Sequence, residues 1–330
     1  MIKPSPAPRP RQKKSSPKND TNRIGAIAKR LLIFVVAILS GGSLCFAIND
    51  GQMRFENYLY AQISQPINEI VYAVPKKQPK EELGLAAKAG ISLRIDLPDQ
   101  ERVIFKKNAD DVLPIASLTK LMTATVVFEH PEIYNAEKQI AISALGASQA
   151  DVPVFGNLKT GEVYSVQELL GAMLFYSSND AAYSLAEVIG VDRFTEMMNR
   201  KAKDIGLEKT GFYNSSGLDI DGGAANFSSA KDLLVLVKYI LKSHPEIFSM
   251  TIHPGPYITE NGIFSFKLWD KQTLIGGKTG YTEKAGGCMI AIFENENNRR
   301  HINILLGSAS PESRVVEMQK MINYANNSDN

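Results

Sequence analysis

The chain has 330 residues, 44% of them apolar, which is enough for one large hydrophobic core or two small ones. Its net charge of +2 hides an asymmetry: residues 1–30 carry nine Lys or Arg against one acid, a net of +8, so the other 300 residues carry −6. Five prolines interrupt that basic stretch and an uncharged apolar run follows it directly, which argues against a nucleic-acid-binding arm; the two cysteines, Cys45 inside the apolar run and Cys288, exclude a disulfide framework.

In chain order, residues 1–30 read as a disordered basic tail. The run Leu31–Ile48, eighteen residues without a charge, is long enough for a short membrane span. The positive flank places the tail in the cytoplasm and everything after Ile48 outside it. A cleavable signal ending near "CFA", Cys45–Ala47, is the competing reading and exports the same downstream chain. Residues 49–85, with "VPKKQPKEE", have the proline and charge of a linker. A folded domain is expected over 86–326.

That domain opens with apolar–polar alternation on both sides of "PDQ", which predicts a hairpin of Ile91–Ile95 against Val103–Phe105. Helical spacing follows in "SLTKLMTATVVFE", in "SVQELLGAMLFYSSNDAAYSLAEVI", read as one helix, and in "VDRFTEMMNRKAKDIG", capped by Gly206. "SSAKDLLVLVKYILKS" predicts a helix with Ser228 or Ser229 as its N-cap. Strand patterns return in "TLIGGKTGYT", "GGCMIAIFE" and "HINILLGSAS", before a last helix, "PESRVVEMQKMINYA". Strands at both ends with helices between them require the early hairpin to pair with the late strands. The expected fold is α+β, a mostly antiparallel sheet carrying the terminal helices, with a helical insert.

Ser117 and Lys120 are three apart at the start of a helix, so their side chains share a face within roughly 5–6 Å. A serine hydroxyl becomes a nucleophile only when a base takes its proton. Lysine does so near neutrality only if its pKa falls by about 3 units, roughly 4 kcal/mol, through burial or a second cation. Lys-Thr-Gly supplies candidates for that cation at Lys159-Thr160-Gly161, Lys209-Thr210-Gly211 and Lys278-Thr279-Gly280. Ser-x-x-Lys also occurs at Ser15–Lys18 and Ser228–Lys231, and Ser-x-Asn at Ser177–Asn179 and Ser328–Asn330. Context separates the copies. Ser15 is in the tail, Ser228 reads as a helix cap, and the last copy sits at the chain's end. Among the Lys-Thr-Gly copies, only Lys278-Thr279-Gly280 lies in a glycine-flanked strand that a ligand can approach closely. Ser117/Lys120, Ser177/Asn179 and Lys278/Thr279/Gly280 remain. His130, His244, His253 and His301 have no ligand spacing, so no metal or other cofactor is expected, and Cys288 reads as a small buried hydrophobe.

With that trio in that order, the chain resembles the low-molecular-mass D-alanyl-D-alanine carboxypeptidases, penicillin-binding serine peptidases that trim peptidoglycan stem peptides. Similar segments run from about Ala87 to Leu306 and include "LPIASLTKLMTA", "FTEMMNRKAKDIGLEKTGFYNSSGLD", "SSAKDLLVLV" and "GGKTGYTEKAGGC". The resemblance implies a β-lactamase/DD-peptidase-like fold, layered α/β/α around a five-stranded sheet. It makes Ser117 the acylated nucleophile and Lys120 its base. Ser177 would relay a proton to the leaving D-alanine, Asn179 would hold the substrate peptide, and Lys278 would be the second cation. Lys278 and Thr279 would bind the terminal carboxylate beside Gly280, and the N–H groups of Ser117 and Tyr281 would form the oxyanion hole. Stem peptides ending in D-Ala-D-Ala are the implied substrates and β-lactams the implied inhibitors, with the membrane met through residues 31–48. In many family members a small β domain and an anchor helix follow the catalytic domain; here the N-terminal span is the expected anchor. Endopeptidase or transpeptidase activity through the same acyl-enzyme stays open, as does a non-catalytic module that binds cell wall or penicillin. A class A β-lactamase would need a deacylating Glu; Glu196 reads as a helix-surface acid.

Overall fold

A computed structural model of the chain describes residues 83–96, 100–149, 158–220, 223–252, 272–295 and 299–328. The expected tail, apolar span and nearly all of the linker lie outside the described residues. Among the described residues no helix is long and apolar enough to cross a membrane.

The hairpin forms as its alternation predicts: β1 (Ala89–Asp96) pairs antiparallel with β2 (Gln100–Lys107), setting Leu93 opposite Val103, with a bulge between Ser92 and Leu93. After a two-residue strand, β3 (Leu113–Pro114), a 3-10 turn (Ala116–Thr119) leads into α1 (Lys120–Phe128). Lys120 through Val127 are all buried, so α1 runs through the interior of the helical part. The small strands β4 (Gln139–Ala141) and β5 (Val163–Ser165) pair with each other.

The long run beginning at Ser165 is two helices where one was expected: α2 (Val166–Phe175) and α3 (Asn179–Glu187). The break has a local cause. Ser and Asn hydrogen-bond backbone groups in non-helical conformations, so "SSND" favours a cap over a helix interior. Ser177 takes a left-handed φ of 66°, and the Ser178 side chain caps α3 by accepting from Ala181 N–H.

Helix α4 (Val191–Asp204) ends as expected at Gly206, φ 80°. The N–H groups of Gly206 and Leu207 reach back to the carbonyls of Lys203 and Ala202, the paired bonds of a Schellman stop. Strand β6 (Phe227–Ser228) pairs with β3, and Ser229, the second of the two candidates, caps α5 (Ala230–Ser243). Then come α6 (Glu246–Ile252), β7 (Gln272–Thr282), β8 (Gly286–Asn295), β9 (Arg300–Ser308) and α7 (Pro311–Asn327).

The main sheet has the order β2-β1-β9-β8-β7 and is antiparallel throughout, so the early hairpin does join the late strands, through β1 and β9. Both faces are covered, which explains why β8 reads as a nearly continuous apolar run. Its Cys288, Ile290 and Ile292 pack toward α1 and the helical insert, while Met289, Ala291 and Phe293 pack with Met318, Met321 and Ile322 of α7. Cys288 is fully buried, as expected, and burial pushes its thiol up to about 11. Strand β7 ends the sheet against the 3-10 turn that carries Ser117.

Candidate active site

The 3-10 turn that carries Ser117 is held in an unusual shape. Ala116 has φ 46°, a left-handed conformation that costs an ordinary residue about 1–3 kcal/mol unless its surroundings enforce it. Gly217 and Gly280 do the enforcing. A Cβ on Gly217 (φ 87°) would stand 2.1 Å from the Ala116 carbonyl oxygen. One on Gly280 would stand 3.0 Å from both Ile115 O and Ser117 N. The third residue of the Lys-Thr-Gly motif is therefore glycine because strand β7 lies directly against the backbone at Ser117.

The pair Ser117–Lys120 meets as its spacing predicts: Lys120 Nζ donates to Ser117 Oγ at 2.9 Å. Two further partners matter as much. Nζ also donates to Asn179 Oδ1 (2.8 Å) and to the carbonyl of Ser216 (2.6 Å). Both are pure acceptors. A neutral amine has two N–H groups and one lone pair. With the N–H groups committed to Asn179 and Ser216, the lone pair is left facing the Ser117 hydroxyl.

The electrostatics favour that neutral form. Lys120 is completely buried, and burial first, then the charge of Lys278, hold its ammonium well below the usual lysine range. Lys278 is 4% exposed; burial and then the guanidinium of Arg314 push it down to about 7. Lys278 does not bond to Ser117. Its Nζ donates to Ser177 Oγ (2.8 Å) and to the carbonyl of Thr279 (3.2 Å). Each lysine thus serves its own hydroxyl, and the helix break at Ser177 is what aims the second hydroxyl at β7. Tyr281, next along the strand, is 45% exposed at the rim.

Two of the other motif copies meet each other; Ser228, expected as a helix cap, lies just before the cap Ser229. Thr210 Oγ1 lies 2.7 Å from Ser228 Oγ, and Asp232 Oδ2 accepts from both Lys209 N–H and Thr210 Oγ1. Lys209 and Lys231 turn outward to Asp110. A carboxylate at the centre holds those groups as a structural knot. Lys159 is exposed beside Glu162. Glu196 lies on the exposed face of α4.

Several contributors were not singled out from the sequence. Asn226 accepts from the N–H groups of Tyr213 and Asn214 and donates to Thr119 Oγ1, tying the 213–218 loop to the nucleophile turn. Asn214 Oδ1 accepts from the N–H groups of Ser216 and Gly217. Arg314 Nη1, in the first turn of α7, donates to the carbonyl of Gly280 at 2.9 Å. The only sequence trace of this scaffold is the segment "NSSGLD".

A sequence profile of the family described as D-alanyl-D-alanine carboxypeptidase matches residues 77–310. The chain belongs to that family. It is similar to the D-alanyl-D-alanine carboxypeptidase DacF of Bacillus subtilis, 32% identical over 265 residues, covering 77% of this chain and 66% of the relative. It is also similar to a D-alanyl-D-alanine endopeptidase of Pseudomonas aeruginosa, 32% identical over 241 residues, 66% of this chain and 74% of the relative. Among solved structures it resembles penicillin-binding protein D2 of Listeria monocytogenes in its cefotaxime-bound form. The TM-score is 0.63 at 33% identity, over 75% of this chain and 99% of that one. Penicillin-binding protein 6B of Escherichia coli matches at TM-score 0.62 and 30% identity, over 76% of this chain and 80% of that one. Against the first three curated carboxypeptidases it matches, the chain spans 54% to 66% of their length. The layered α+β fold expected from the sequence is the fold these structures share with it.

Proposed function

We propose that the chain is a serine-type D-Ala-D-Ala carboxypeptidase that removes the terminal D-alanine of peptidoglycan stem peptides through an acyl-enzyme on Ser117. One observation carries the reading: Lys120 Nζ contacts Ser117 Oγ, Asn179 Oδ1 and the Ser216 carbonyl, and because the last two only accept, the neutral amine turns its lone pair to the Ser117 hydroxyl.

Ser117 Oγ attacks the carbonyl of the penultimate D-alanine while its proton passes to the Lys120 amine. The oxyanion is held by the N–H groups of Ser117 and Tyr281, each worth about 3–4 kcal/mol at the transition state. Collapse breaks the C–N bond. The leaving amine takes a proton from Ser177, which Lys278 replenishes through their 2.8 Å bond. Thr279 and Lys278 hold the terminal carboxylate, and Asn179 Nδ2 remains available for a substrate carbonyl. Water then attacks the ester, its proton passing through Ser177 to the neutral Lys278 while Lys120 returns its proton to the departing Ser117 oxygen, which releases the shortened peptide and restores both lysines. No step calls on a metal or an organic cofactor.

The endopeptidase name of one relative supports a second reading, in which the same acyl-enzyme cleaves a cross-linked peptide bond. β-Lactams acylate the same serine in this reading, as the ampicillin- and cefotaxime-bound forms of the Listeria protein suggest by analogy. We further propose that Leu31–Ile48 anchors the protein in the bacterial membrane with the catalytic domain outside the cytoplasm, on the strength of its apolar length and basic flank.

Labelling with fluorescent penicillin tests the nucleophile. Wild type should label and Ser117→Ala should not; equal labelling of both would remove Ser117 from the mechanism. Release of D-alanine from a pentapeptide, against cleavage of a cross-linked dimer, separates the two peptidase readings.

A further inference from the structure

Beyond the reacting groups, past the end of β7, lie an acid and a base with no ion-pair partner among the described residues. Resting on the reading above, the substrate's direction follows from three placements along β7. The terminal carboxylate lies at Lys278 and Thr279, and the scissile carbonyl at Ser117 and the N–H of Tyr281. The acyl part must then leave toward Thr282 and the turn that follows, at about 3.3 Å of strand per residue. Asp219 waits there. Its Oδ1 accepts from Thr282 Oγ1 at 3.1 Å, and Thr282 Oγ1 in turn accepts from Ala285 N–H at 3.1 Å. Asp219 is also two residues beyond Gly217, the glycine that touches the nucleophile turn. It is bracketed between the nucleophile and the acyl end of the strand.

Lys284 faces the same loop: its Nζ is 3.7 Å from where a Cβ on Gly223 would stand. Asp219, Glu283 and Lys284 are exposed, and neither Asp219 nor Lys284 forms an ion pair with any described residue. Stem peptides place a diamino acid immediately before the D-alanine pair, with a free side-chain ammonium until it is cross-linked.

We propose that Asp219, held by Thr282, is a specificity-determining residue that receives this ammonium, and that Lys284 receives the distal carboxylate where the diamino acid has one. The enzyme would then prefer stem peptides that are not yet cross-linked through that amine.

The test compares D-alanine release by the full chain from three pentapeptides, carrying lysine, Nε-acetyl-lysine or diaminopimelate before the D-alanine pair. Wild type should favour the free-amine lysine peptide over the acetylated one by about three- to fivefold in kcat/KM, the range of a partly exposed ion pair, and lose that preference in high salt. Asp219→Asn keeps an acceptor for Thr282 and should raise KM for the free-amine peptides alone. Lys284→Met should weaken only the diaminopimelate peptide. An equal loss on all three peptides with Asp219→Asn would reduce Asp219 to a loop anchor, and a wild-type ratio of one would overturn the proposal. The same peptides competing against fluorescent penicillin report the preference without turnover. Absence of released D-alanine would therefore count against the carboxypeptidase reading, while the competition ratio still decides this one.

Discussion

Two lysine clusters in this domain, one half-buried and one buried, are wired in opposite ways. Lys201 of α4 meets Glu129 at 2.6 Å and Tyr239 OH at 2.7 Å, with the Lys201 and Glu129 side chains 16% and 19% exposed. Burial alone would depress Lys201, yet the hydrogen bonds to Glu129 and Tyr239 outweigh it and raise its pKa. Lys120 and Lys278 are buried more deeply, and the acceptors around them are hydroxyls, an amide and carbonyls. They are depressed instead. Burial alone therefore does not make a lysine a base. Burial without a carboxylate does, and a neighbouring cation strengthens it.

The comparison can be broken most severely at Lys120. Lys120→Met should lower the rate of penicillin acylation by about 1,000-fold or more while the melting temperature holds or rises, because the variant removes a buried polar group together with its function. A large fall in stability with acylation intact would mean the lysine is structural, like Lys201. Gly217→Ala attacks the support beneath. A methyl group 2.1 Å from the Ala116 carbonyl has nowhere to go, so we expect a loss of about 2–4 kcal/mol in denaturant unfolding together with slowed acylation.

A third test concerns proton binding. Lys278 releases its proton near pH 7 in the folded domain and near 10.4 in the unfolded chain, so the unfolded chain holds more protons between those values. Stability contributed by this lysine therefore rises with pH from about 7 to 10, and its penalty is full below 7. Lys278→Met should gain most over wild type at pH 6 and least at pH 10, by at most about 4 kcal/mol, read as the difference in melting temperature. In the same variant Lys120 loses a neighbouring charge, and the acid limb of its acylation profile should move to higher pH.

Lys201→Met sharpens the other side of the comparison: it leaves Glu129 short of its cation and should cost about 1–3 kcal/mol of stability with acylation unchanged. Smallest of all is Ser178→Gly. Ser178 caps α3, and glycine is a tolerable cap, so only about a few tenths of a kcal/mol should be lost.

Most of the fold was legible because its signals are local. The alternation in β1 and β2, the Schellman stop at Gly206 and the unbroken apolar run of β8 each follow from side-chain periodicity or a special residue. One copy of each motif could also be singled out, since the others read as tail, cap, loop, turn or chain end while glycines flank Lys278-Thr279-Gly280 in a strand. What could not be read lies in groups the alphabet does not name. The acceptor that completes Lys120 is the main-chain oxygen of Ser216, and any residue would supply one. The left-handed turn at Ala116 is imposed by neighbours distant in sequence, Gly217 and Gly280. Arg314, 36 positions beyond Lys278, reaches the Lys-Thr-Gly strand only because α7 packs on the back of the sheet.

Helix α7 also holds the entrance to the domain. Glu317, three residues from Arg314, accepts from the N–H groups of Ala86 and Ala87, while Arg314 grips Gly280. One rod therefore bears both the first described residues of the domain and the strand that carries Lys278. A shift of that rod should therefore displace Ala86 and Gly280 together.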